Sequence, residues 1–121
     1  MRASPKFLNL FKIYLPITGL VSILHRMSGV LNAFLFVGLV YLYYLLPQGN
    51  EIDSVLALQI FNLLLWAAVS AFLYHFIAGL RHMYMDFLHQ HTLKFARLSS
   101  WVTLVGAAIM SVWVGVVIWM P

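Results

Sequence analysis

Two stretches of this chain place chemically capable side chains among apolar neighbours. The first is SILHRMSG, Ser22 to Gly29, and the second is YHFIAGLRHMYMDF, Tyr74 to Phe87. On a helix turning about 100° per residue, His75, Gly79, His82 and Asp86 share one stripe, and Ala68, Ala71 and Ala78 lie within about 60° of His75. Small residues let helix backbones approach closely, and histidine can hydrogen-bond between helices in lipid. Packing explains the alanines and Gly79, but it explains His75 poorly. That residue lies about 10 Å, two turns, deeper than His82 at about 1.5 Å per residue. An ionisable group at such depth faces the bundle interior and usually serves a function. A flat macrocycle needs a groove without bulky side chains and an imidazole aimed at its metal, and the stripe supplies both. From spacing, helix packing and ligation of a haem or metal stand side by side. A second ligand is not evident. His82 is too close along the same helix to reach the opposite face of one haem, and His25 is expected much nearer the membrane surface.

In the first stretch, Ser22 and Arg26 are four apart and share a face, with His25 beside Arg26. Arg26 alone would read as a snorkelling side chain that helps set topology. Yet His25, Arg26, Arg81 and His82 are all expected at similar depth on the cytoplasmic side. Such a cationic cluster calls for an anionic or polar partner: haem propionates, a quinone head group or Asp86. The guanidinium fork matches the two oxygens of a carboxylate, and Ser22 adds a neutral hydroxyl donor. His89 and His91 are expected in a connection, in water.

The elements that position these groups follow from composition. Of 121 residues, 64% are hydrophobic and 8% charged, with a mean hydropathy of +0.95. Soluble domains carry about 45–50% apolar and about 25% charged residues, so this is an integral membrane protein with one domain, 1–121. The absence of cysteine excludes disulfides and iron–sulfur ligation within the chain. The net charge of +4 reads as a topology signal rather than a nucleic-acid surface. Uncharged runs extend from Met27 to Gln48, Ser54 to Leu80 and Leu98 to Pro121. Each exceeds the roughly 20 residues needed to cross the bilayer, and backbone groups in lipid must pair internally. The expected fold is all-α with three transmembrane helices, spanning approximately 17–47, 55–88 and 97–120. Pro16 suits the first turn of the first helix, so that helix is expected to begin well before Met27. The first run is too long for a signal peptide and lacks a following cleavage site, so it reads as a retained span. Arg2, Lys6, Lys12 and Arg26 flank the start, Lys94 and Arg97 lie in the second connection, and the first connection holds only Glu51 and Asp53. The positive-inside rule then puts the N-terminus and second connection in the cytoplasm and the C-terminus on the periplasmic side.

PITGLVSILHRMSGV and YHFIAGLRHMYMDF together closely resemble the two signature segments of the succinate dehydrogenase cytochrome b family, the large membrane anchors of bacterial complex II. The pattern S-x-x-H-R-x-S-G is matched by Ser22, His25, Arg26, Ser28 and Gly29, and H-x-x-x-G-x-R-H-x-x-x-D by His75, Gly79, Arg81, His82 and Asp86. The likeness covers nearly the whole chain. It implies half of a heterodimeric haem-binding helix bundle, with His75 as one axial ligand of haem b and the second supplied by a small partner anchor. It implies that Ser22 and Arg26 line a ubiquinone site, and that His25, Arg26 and His82 lie near the haem propionates. Arg81 and Asp86 would stand behind them. An iron–sulfur subunit and a flavoprotein would dock on the cytoplasmic face, and the chain alone is not expected to be an enzyme, since it carries no flavin or iron–sulfur motif. The N-terminus shows no transit peptide, which favours a bacterial inner membrane over a mitochondrion. The alternatives are a fumarate reductase anchor, running the chemistry in reverse, and a haem-free structural anchor. His75 at the ligand position disfavours the fumarate reductase anchors that lack haem.

Overall fold

The computed structural model describes residues 15–45, 54–87 and 92–120. It contains three helices: α1, Ile17–Leu45; α2, Ser54–Phe87; and α3, Leu93–Trp119. They run for 29, 34 and 27 residues, which at about 1.5 Å per residue is some 40–50 Å. Each contains an apolar stretch long enough to cross a membrane, with mean hydropathies of 1.6, 2.0 and 2.2. This is the all-α, three-span architecture expected. The basic and acidic residues at Arg2, Lys6, Lys12, Glu51 and Asp53, and the histidines His89 and His91, lie outside the described residues.

The helix ends have local causes. Pro16 sits just outside α1 rather than within its first turn, and its carbonyl accepts from Gly19 N at 2.8 Å and Leu20 N at 3.1 Å. Proline has no N–H to leave unpaired at this boundary. Helix α3 begins at Leu93, upstream of the expected 97, because Thr92 caps it: Phe95 N donates to Thr92 Oγ1 at 3.3 Å.

Packing is that of a bundle surrounded by hydrocarbon. Large apolar side chains point outward, Phe34 being 74% exposed and Phe87 86% exposed. The buried set is mostly small or polar: Ala68, Ala78, Ala96 and Ala107, with Ser28, Asn32, Arg81, Ser100 and Thr103, joined by Val21, Leu39 and Val114. Lipid tails are as apolar as leucine, so association in a membrane relies on close backbone approach and interhelical hydrogen bonds. Helix α2 is central and packs along both neighbours, while α1 and α3 touch each other over a shorter length. Tyr74 Oη donates to Val21 O at 3.0 Å and ties α2 to α1. On the α3 side, Trp66 Nε1 donates to Ser111 O at 2.9 Å and Ser111 Oγ to Ser70 Oγ at 2.8 Å.

The strongest tie between α2 and α3 is Arg81. Its Nε donates to Ser99 Oγ at 3.0 Å, and its Nη2 to Ser100 Oγ at 2.8 Å and Ala96 O at 3.1 Å. The side chain is buried at 8% exposure. Removing the Ser100 hydroxyl leaves a guanidinium donor short of a partner in a dry interface. Ser100→Ala is expected to show a coupling to Arg81→Met of about 0.6–1.7 kcal/mol in a double-mutant cycle of unfolding in mixed micelles. A coupling near zero would contradict this account of the α2–α3 contact.

Candidate functional site

The functional groups meet where α2 crosses α1. His75, about two-thirds of the way along α2, turns its ring onto α1 over Gly29, where a Cβ would come within 2.9 Å of His75 Cε1. Its Nδ1 lies 3.0 Å from His25 O and 3.2 Å from Ser28 Oγ. A carbonyl oxygen can only accept, so Nδ1 carries the proton. Ser28 Oγ gives its own proton to the same carbonyl at 2.8 Å, and its lone pairs remain to face Nδ1. With Nδ1 protonated, a neutral imidazole carries its lone pair on Nε2. No group among the described residues hydrogen-bonds that nitrogen. Metal-ligating histidines characteristically donate the other ring N–H to a carbonyl or carboxylate, which fixes the tautomer and raises ligand basicity. His75 has this arrangement, built wholly from α1 backbone and a serine.

His25 lies beside His82, as expected, but closer to His75 than expected. Its ring stacks on His75 with centroids 4.2 Å apart and planes 11° apart, and lies 5.2 Å from the His82 ring at 50°. The three imidazoles thus form one row along the α1–α2 seam. Depth judged along each helix separately misplaced His25, because the register between antiparallel helices inserts it between the two α2 histidines. Gly79 leaves room for it, since a Cβ there would stand 3.3 Å from His25 Nε2.

Ser22 is half-buried, and Arg26 and Asp86 are exposed. Among the described residues, none of the three side chains has a hydrogen bond or ion pair. Among the described residues, Arg26 is the one charged residue lining a cleft of about 760 Å³ whose other walls include Ser28, Phe34, Ala71, Tyr74 and Leu104. The cation is thus placed beside apolar space. Arg81 does not join the cationic cluster with His25, Arg26 and His82. About 100° around α2 from His82, it faces α3, which engages it.

The family described as succinate dehydrogenase/fumarate reductase transmembrane subunit matches residues 2–114. The chain belongs to this family. A relative from Coxiella burnetii, named succinate dehydrogenase cytochrome b556 subunit, is 32% identical over 95% of this chain and 96% of its own. A protein of the same name from Rickettsia conorii is 31% identical over 83% of this chain and 82% of its own. The chain is therefore a membrane anchor of complex II, the role implied by its two signature segments. In this anchor, Ser28 and Gly29 emerge as seat residues for His75, a role that spacing alone did not give them. Both belong to the first signature segment, and Ser28 falls one turn after His25, the available sign that the two act together. Asn32, one turn further on, is likewise a structural finding: it is buried, and its Oδ1 has no hydrogen-bond partner.

Proposed function

We propose that this anchor contributes one axial ligand of a haem b and part of a ubiquinone-reducing site in a succinate dehydrogenase. The observation that carries the haem assignment is the engagement of His75 Nδ1 by the His25 carbonyl, which leaves Nε2 as a ready ligand. The donor set suits iron: a neutral imidazole oriented by a carbonyl, beside a glycine that leaves the ring space. His25 is stacked on the His75 ring itself and His82 lies on the same helix. Among the described residues, neither is arranged to face His75 across a macrocycle, and the family resemblance assigns the second axial histidine to another chain, the small partner anchor. The haem supplies one-electron redox chemistry when bound. His25 and His82 stand beside His75 to meet the propionates, and Arg26 adds a cation near that end of α1.

Ser22 and Arg26 supply donors for the quinone. Reduction of a quinone to a quinol takes two electrons and two protons. The electrons arrive from an iron–sulfur subunit fed by a flavoprotein, both on the cytoplasmic face. The protons come from water at that face. A hydroxyl and a guanidinium on one helix face hydrogen-bond the quinone oxygens and stabilise the negative charge that develops there. The apolar cleft beside Arg26 suits an apolar chain attached to such a head group.

The same reading orients the chain in a bacterial inner membrane, N-terminus inward. Three spans place the two ends on opposite sides, so alkaline phosphatase fused after Pro121 is expected to be active and a cytoplasmic reporter there inactive. The opposite pattern would reverse the map. The test of the function itself is purification of the complex through this chain, with subunit identification and a reduced-minus-oxidised spectrum. A b-type spectrum in a complex that reduces ubiquinone with succinate is expected. A complex without haem would refute the haem assignment.

A further inference from the structure

We infer that Gly29 is a positioning residue for His75, holding the imidazole in the orientation in which the His25 carbonyl takes its Nδ1 proton. This rests on the reading of His75 as a haem ligand. Gly29 lies one residue after Ser28 and four after His25, so the three occupy adjacent turns of α1 on the side facing α2. The ring of His75 lies against Gly29 along one edge. A Cβ built on Gly29 would be 2.9 Å from Cε1, 3.3 Å from Nδ1 and 3.8 Å from Nε2. The atom approached most closely lies between the two ring nitrogens, so an added methyl group pushes on the ring rather than on the backbone. The ring yields by swinging away from α1. That motion draws Nδ1 away from His25 O, now at 3.0 Å, and from Ser28 Oγ, now at 3.2 Å.

The consequence is electronic as well as steric. The Nδ1–H···O=C bond makes the imidazole a stronger donor, which favours the more positive, oxidised metal. Hydrogen bonding around an axial ligand is one of the levers by which a protein sets a haem potential. Loosening that bond therefore raises the potential. A general loss of helix stability would act differently, and alanine is in any case the better helix former. Gly38 provides the control, because a Cβ there meets no atom within 4 Å.

The experiment compares purified whole complexes carrying Gly29→Ala, Gly38→Ala, Ser28→Ala and His75→Tyr. Each is measured for haem-to-flavin ratio, potentiometric midpoint and low-spin electron paramagnetic resonance. Gly29→Ala is expected to keep its haem while its midpoint shifts upward and its highest g-value moves. Gly38→Ala should match the parent in all three. Ser28→Ala adds no volume but removes the hydroxyl beside Nδ1, and should move the same signals by less. If the Gly29→Ala complex does not accumulate, the Ser28→Ala signals decide. Parental midpoints and g-values wherever Gly29→Ala and Ser28→Ala complexes form, with the low-spin signal lost in His75→Tyr, would overturn the seat alone. An intact low-spin signal in His75→Tyr would overturn the ligand assignment beneath it and the inference with it.

Discussion

In membranes carrying Arg26→Leu or Ser22→Ala, succinate-driven quinone reduction is expected to fall by roughly ten- to a hundredfold, provided that step limits turnover. Both side chains lack hydrogen-bond partners among the described residues, so their donors remain available. A hydrogen bond involving a charged group contributes about 1.5–3 kcal/mol, and each 1.36 kcal/mol is about tenfold in rate. Electron transfer from succinate to an artificial acceptor that intercepts upstream should survive, because the flavin and clusters belong to other subunits. Arg26→Lys should rescue only partly, since an ammonium keeps the charge but loses the planar fork. Equal losses with both acceptors would mean failed assembly, and unchanged quinone rates would remove the pair from the site.

The second large effect is expected at His75. His75→Tyr should abolish the low-spin, bis-histidine spectrum while leaving the three-span fold able to assemble. The substitution removes the Nε2 ligand and the Nδ1 contact to His25 O, but leaves Tyr74 tying α2 to Val21. His89→Ala and His91→Ala should leave the spectrum unchanged. Loss of the low-spin signal in His82→Ala, with its retention in His75→Tyr, would transfer the ligand role to His82.

The spans were legible because hydrocarbon imposes a simple demand: every backbone group pairs internally over about 30 Å. The absence of charge from Met27 to Gln48, from Ser54 to Leu80 and from Leu98 onward expresses that demand directly. The stripe of His75, Gly79 and His82 was also legible, since helical period is a local property. Matters of helix pairing were not. His82 and Arg81 are adjacent in sequence and about 100° apart around α2, but nothing in that spacing says which neighbour each one faces. The small and hydroxylated run Ala96, Ser99, Ser100 on α3 was the sign that a guanidinium could be received there. His25 was misplaced for the same reason. Its stacking on His75 depends on the vertical register of α1 against α2, which a single sequence does not encode in any short pattern. The seat formed by the His25 carbonyl was hidden more deeply still, because its acceptor is a backbone atom.

The most direct test is an electron cryomicroscopy structure of the intact complex with its haem. The expected map has His75 Nε2 bonded to the haem iron, Nδ1 still directed at the His25 carbonyl, and the opposite axial histidine on a different chain. Iron coordinated by His82 or His25, or by no histidine of this anchor, would contradict the account.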